Sequence, residues 1–188
     1  MEEVLEEHRK KVVKRFSKTQ NYIIYFFIFS FLGWIIESIY SFIVLGHFAK
    51  RGFLYGPLCP IYGFGALIFI IFLARYRNSA IKIFVYAAVI CSVFEYIASY
   101  ILEVLFHLRW WDYTTDFYNI NGRISIFYTL AWGFIGIIFV GKIYPFFKRK
   151  INFYTSKMPY KLKLSVLNIA CLMFVIDNIL SCIKYINI

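Results

Sequence analysis

Four carboxylates of this chain stand where carboxylates are costly. Glu37, Glu95, Glu103 and Asp177 lie inside or at the edge of long apolar runs. An ionised side chain at the centre of a membrane helix costs about 2.5–3.5 kcal/mol on insertion scales, so such groups turn toward a partner, trapped water or a pathway. Their spacing is ordered. Ser92, Glu95, Ser99 and Glu103 recur at three- and four-residue steps, which places them along one helix face, with His107 one turn further on. Ser30, Gly33, Glu37 and Ser41 repeat that spacing, and Asp177, Asn178 and Ser181 add a third polar stretch.

Arg51 and Arg123 are the candidate partners, because a guanidinium forks onto a carboxylate or a phosphate. Two chemistries follow. Arg–Glu pairs could staple loops onto a helix bundle. Alternatively, the carboxylates hold a cation or relay protons while the arginines hold an anionic group. Trp110-Trp111-Asp112-Tyr113 reads either as an interfacial anchor or as an aromatic wall beside such a pocket.

Composition sets the elements that must position these groups. The 188 residues are 61% hydrophobic and 22% aromatic, with only 16% charged, which is too little polar surface for a soluble domain. Apolar runs at about 22–45, 57–74, 79–106, 124–144 and 162–183 approach the roughly 20 residues that cross a bilayer as a helix. The predicted fold is all-α: a polytopic bundle of about five transmembrane spans (residues 21–188) behind a basic, amphipathic leader (residues 1–20). The second run is the shortest. Its proline- and glycine-rich approach, Gly52 to Gly65, predicts either a broken, re-entrant start or a kinked start with close packing through Gly63.

Charge placement excludes nucleic acid as the reason for the net charge of +11. Sixteen of the 21 Lys and Arg fall before the first run, between runs two and three, or in the basic connector 145–163 and its flanks. By the positive-inside rule those segments are cytoplasmic, which predicts a multi-pass inner (plasma) membrane protein with a cytoplasmic N-terminus. The first run is too long for a signal peptide and reads as a retained span. The cysteines (Cys59, Cys91, Cys171, Cys182) lack paired spacing and read as apolar thiols. His47 and His107 are too isolated to predict a metal site, no cofactor is implied, and no nucleophile motif occurs. Gly136 to Lys142 imitates a phosphate loop, but Ile143 stands where a magnesium-binding hydroxyl is needed. Thr129, Gly133 and Gly136 read instead as a small-residue helix contact. No internal repeat stands out.

Three blocks carry a resemblance: Phe31-Leu-Gly-Trp-Ile-Ile-Glu37, Arg51-Gly-Phe-Leu-Tyr-Gly-Pro-Leu-Cys-Pro-Ile-Tyr-Gly63, and Trp111-Asp-Tyr with Asn119-Ile-Asn-Gly-Arg123. Together they resemble the CmpB-like proteins described as type IV ABC-transporter permeases. The resemblance implies transport and picks out Glu37, Arg51, Gly56, Pro57, Glu95, Trp111, Asp112, Tyr113, Asn121 and Arg123 without assigning their roles. The expected function is a permease-like protein that binds or transports a small polar or charged substrate through an outward-facing polar pocket. Glu37, Arg51, Glu95, Glu103, Trp111, Asp112, Tyr113, Asn121 and Arg123 are its candidate substrate-binding residues. An integral-membrane enzyme acting on a lipid headgroup and a non-catalytic assembly or sensing subunit are the alternatives, so enzyme status stays open. The expected partners are membrane lipids, with a separate ATPase subunit and a homo-oligomer as further candidates.

Overall fold

The computed structural model describes residues 16–48 and 52–186; the basic leader before Phe16, and Lys50 and Arg51 of the first loop, lie outside the described residues. The fold is all-helical apart from one two-residue hairpin. Its helices are α1 (Lys18–Leu45), α2 (Pro60–Ile68), α3 (Ala80–Phe106), α4 (Ile126–Ile138), α5 (Tyr144–Lys157) and α6 (Tyr160–Ile186). Strands β1 (Asn119–Ile120) and β2 (Ile124–Ser125) pair antiparallel between α3 and α4. Four helices are long and apolar enough to cross a membrane: α1, α3, the continuous 32-residue helix from Ile126 to Lys157, and α6. The second run of the sequence becomes a shorter apolar helix, Pro60–Tyr76.

Each terminus has a local cause. Ser17 caps α1 by accepting from the Gln20 amide, and the Gln20 side chain returns the bond. Ser79 caps α3 by accepting from the Lys82 amide at 3.5 Å. Both helices end on a left-handed residue, Gly46 and His107. Pro60 sits in the first turn of α2, where its missing amide hydrogen is harmless.

The bundle repeats one plan that its sequence conceals. Helix α1 packs antiparallel on α2, and α3 on α4. Tyr62-Gly-Phe-Gly-Ala-Leu-Ile-Phe69 of α2 matches Trp132-Gly-Phe-Ile-Gly-Ile-Ile-Phe139 of α4. Both stretches then widen into one π-helical turn, Phe69–Leu73 and Phe139–Ile143, in which Ala74 and Tyr144 donate to the carbonyls of Phe69 and Phe139. In the second copy the wide turn ends just before Pro145, which cannot donate to the regular ladder. The two turns meet where the rings of Phe69 and Phe139 approach to 5.1 Å, within a core that also holds Phe29, Leu73, Ile83 and Ala87.

Small residues let the paired helices close. A side chain at Gly63 would collide with Ser30 Oγ and would lie 2.7 Å from the Phe26 ring. At the same position in the second pair, Gly133, an added Cβ would lie 2.6 Å from the Phe84 ring, and one at Gly136 would lie 2.5 Å from the Ala87 Cβ. The predicted contact through Thr129, Gly133 and Gly136 is therefore present, and Thr129 adds a 2.8 Å hydroxyl bond to Ser92. Close packing through Gly63 is present as well. Cys59, just before α2, donates its amide to the Ser30 carbonyl at 2.9 Å, so the bent segment 52–58 is tied to α1.

The region 145–163, expected as a connector, is helical to Lys157 and turns into α6 at Met158 and Pro159. The π turn before Pro145 explains how the helix runs past it. Helix α6 lies at the periphery. Phe174 touches the rings of Phe26 and Phe27, Asp177 reaches the first loop, and Tyr185 closes an aromatic cluster with Phe53, Phe106 and Trp110.

The glycine contacts predict a contrast within α2. Gly63→Ala forces backbone or ring shifts and lowers thermal stability in detergent, by about 1–3 kcal/mol as for other overpacked positions. Gly65→Ala meets open space and raises stability by about 0.5–1 kcal/mol through helix propensity. Equal melting shifts in the two variants would refute the close-contact assignment.

Candidate functional site

Glu95 lies near the middle of α3 and is only 6% exposed. Both oxygens are held. Tyr113 donates its hydroxyl to Oε1 at 2.9 Å, and Trp132 donates its indole N–H to Oε2 at 2.9 Å. Both donors are neutral. Tyr113 comes from the loop after α3 and stacks on Tyr128, with ring centroids 4.3 Å apart. Burial, then the nearby Glu95 charge, pushes the Tyr113 phenol well above its usual range, so it remains a protonated donor at any physiological pH.

The Tyr62 hydroxyl donates to Glu37 Oε1 at 2.6 Å. Its ring fills the space over Gly33, where an added side chain would lie 2.5 Å from the Tyr62 Cβ. The two helix pairs thus differ at matched positions. The second carries Glu95 under Trp132; the first carries Gly33 under Tyr62, whose hydroxyl reaches one turn further to Glu37.

The second cluster lies toward the loop end of α3. Arg123, 8% exposed, donates Nη1 to Ser99 Oγ at 3.1 Å and places Nη2 2.6 Å from Glu103 Oε2 as an ion pair. Its guanidinium also faces the rings of Tyr96 and Tyr100, at 5.8 and 5.4 Å. Arg109 donates Nε to the other Glu103 oxygen at 3.0 Å, and that carboxylate holds the guanidinium more firmly charged. Asp112 lies 3.8 Å from Arg109. Two arginines and two acids therefore neutralise one another within this cluster.

The loop 107–125 has its own scaffold. Asn121 and Gly122 take left-handed backbone, as a tight hairpin requires. Tyr113 donates its amide to the Gly122 carbonyl at 2.8 Å, and the Trp111 indole donates to the Arg123 carbonyl at 3.1 Å. Asp112 accepts from the Thr114 amide at 3.0 Å, and Asn121 donates to the Tyr96 hydroxyl at 3.0 Å. Of the residues singled out by sequence, Glu95 and Tyr113 form the buried cluster. Glu103, Arg123 and Asp112 join Arg109 in the ionic one, and Trp111 and Asn121 brace the loop. Arg51 lies outside the described residues.

Sequence reasoning missed Trp132 and did not single out Tyr62 as a donor. Their signal was an aromatic side chain with a polar tip inside an apolar helix, in an aromatic-Gly-Phe sequence that occurs in both pairs. Asp177 has a structural partner set: the amides of Tyr55 and Gly56 reach its two oxygens at 2.8 and 2.9 Å, fastening the first loop to α6. His47 bonds its own Leu45 carbonyl, and no metal-binding cluster of His, Cys, Asp or Glu occurs among the described residues. The four cysteines are free thiols.

The ionic cluster predicts unequal arginine effects. Arg123→Met removes a buried charge bound by Ser99 and Glu103 and opens segment 107–125, raising its amide hydrogen exchange at least tenfold. Arg109→Met, at a half-exposed site, changes exchange much less. Equal exchange in both variants would rule out Arg123 as the anchor of the loop.

No curated protein and no solved structure matches the chain. One family profile does, over residues 24–182. That match spans both helix pairs, both clusters and most of α6, and with the four span-length helices it identifies a multi-pass membrane protein of a transport-related family. The chain belongs to the family described as "Putative ABC-transporter type IV".

Proposed function

We propose that the protein is a permease-like membrane subunit in which Glu95 and Glu37 form the polar step for a small polar or charged substrate, or for protons that accompany it. One observation carries this reading: the buried Glu95 carboxylate in mid-span is held by a phenol and an indole, with no ion-pair partner among the described residues. A purely structural carboxylate at such depth is better served by a cation, as Glu103 is by Arg109 and Arg123. The Tyr113 and Trp132 donors keep the carboxylate oriented while leaving its charge uncompensated, which suits a group that exchanges a proton or meets a passing cation. Glu37, with one oxygen bonded to Tyr62, offers a second carboxylate on the neighbouring helix pair.

In this reading Arg123, Glu103, Asp112, Trp111 and Asn121 hold the outer loop over the buried cluster, and Arg51 of the first loop is a further candidate binding residue. The N-terminus and the basic segments face the cytoplasm of a plasma membrane. The family match supports transport, and a separate ATPase subunit is the energy source it implies.

Flux in proteoliposomes tests the proposal. Under a proton or ion gradient, or with the ATPase partner supplied, the wild-type protein moves substrate. Glu95→Gln cuts that flux by about 100-fold, the range of losing one essential proton-transfer group. Glu37→Gln reduces it less, and Arg109→Met leaves most of it. Retained flux in a folded Glu95→Gln protein would sink the assignment.

A further inference from the structure

The continuous helix α4–α5 changes character along its length. It holds 32 residues, which at 1.5 Å per residue is about 48 Å, against about 30 Å of bilayer hydrocarbon. The surplus is at the α5 end, where Lys142, Lys148, Arg149, Lys150 and Lys157 replace the apolar residues. No Asp or Glu occurs anywhere between Asp116 and Asp177. Among the described residues, neither Lys142 nor Arg149 makes an ion pair.

At the change of character lies an open groove of about 500 Å³, lined by Gly141, Lys142, Ile143, Phe146 and Arg149 among others. Gly141 opens onto it, since an added Cβ there would meet nothing within 4 Å. Lys142, Phe146 and Arg149 follow at four- and three-residue steps and so share one helix face. Phe134 and Ile138, both exposed, continue that face into the apolar part of the helix. One strip therefore runs from exposed hydrocarbon-compatible side chains to two cations.

We propose that this groove is a binding site for an anionic phospholipid of the surrounding leaflet. Its phosphate pairs with Lys142 and Arg149, its glycerol region fills the space over Gly141, and an acyl chain lies along Ile138 and Phe134. The two cations of the groove select an anionic headgroup, and the apolar continuation of the face selects a lipid over a soluble anion. The site is independent of Glu95 and Glu37.

Native mass spectrometry of the full-length protein in gentle detergent, with phosphatidylglycerol and phosphatidylcholine added in equal amounts, tests the site. The wild-type protein retains phosphatidylglycerol preferentially. Lys142→Ala and Arg149→Ala each weaken that retention about fivefold, equivalent to about 1 kcal/mol per basic residue. Gly141→Leu keeps both charges but fills the groove, and it too loses the adduct while the melting temperature is held or raised. Equal retention of the two lipids, or phosphatidylglycerol retention unchanged in the charge variants and in Gly141→Leu, overturns the proposal. Displacement of the lipid by millimolar inorganic phosphate also overturns it, since it would identify a site for a soluble anion.

Discussion

Inside a bilayer no water is at hand to satisfy a polar group, and Glu95 is where this constraint acts most severely. Its carboxylate needs donors from within the protein. One comes from α4 as Trp132 Nε1 and the other from the outer loop as the Tyr113 hydroxyl. Placing Tyr113 requires the loop to fold back over the bundle. The hairpin at Asn121 and Gly122, the Trp111 bond to the Arg123 carbonyl, and the Arg123 anchor on Ser99 and Glu103 together achieve that. A deep carboxylate, a folded loop and a buried arginine are thus parts of one arrangement.

Its context is a bundle made twice from the same helix pair. Ser17 and Ser79 start the two long helices, matched glycines bring their partners close, and matched π turns meet at Phe69 and Phe139. The copies diverge at the polar positions. Gly33 beneath Tyr62 in one pair faces the same way as Glu95 beneath Trp132 in the other. Divergence between two otherwise similar halves gives each pair its own acidic group: Glu37 bonded by Tyr62, and Glu95 bonded by Tyr113 and Trp132.

Charge is sorted along the bundle axis. The carboxylates of the described residues lie in the middle or toward the loops at 52–59 and 107–125, where Arg109, Arg123 and the backbone amides of Tyr55 and Gly56 meet them. The opposite end is basic and aromatic, with Lys148 over the Tyr144 ring and Lys157 over the Phe153 ring. A cation over an aromatic face gains from the ring quadrupole, which favours this placement of both ammonium groups. The two ends therefore have different chemistries: a self-neutralised ionic cap at one, a basic and aromatic surface at the other.

The sequence by itself determined the class of fold, because hydropathy over about 20 residues and charge content are sums over local residues that need no knowledge of contacts. It also determined which carboxylates would be costly, and that Arg123 was a candidate cation for them. Helical spacing made the stripe from Ser92 to Glu103 legible, and the small-residue contact at Gly133 and Gly136. Pairing across the chain was not legible. Nothing local says that Trp132 and Tyr113 converge on Glu95, that Arg123 chooses Glu103 and Ser99, or that Asp177 holds the amides of Tyr55 and Gly56. The repeat was hidden because only a few positions per helix face a partner, while lipid-facing positions drift freely among apolar residues. Helix α5 was misread as a connector because a proline and a basic run look like a break, whereas the wide turn before Pro145 lets the helix continue. Those outcomes depend on which faces meet, and only the packed bundle decides that.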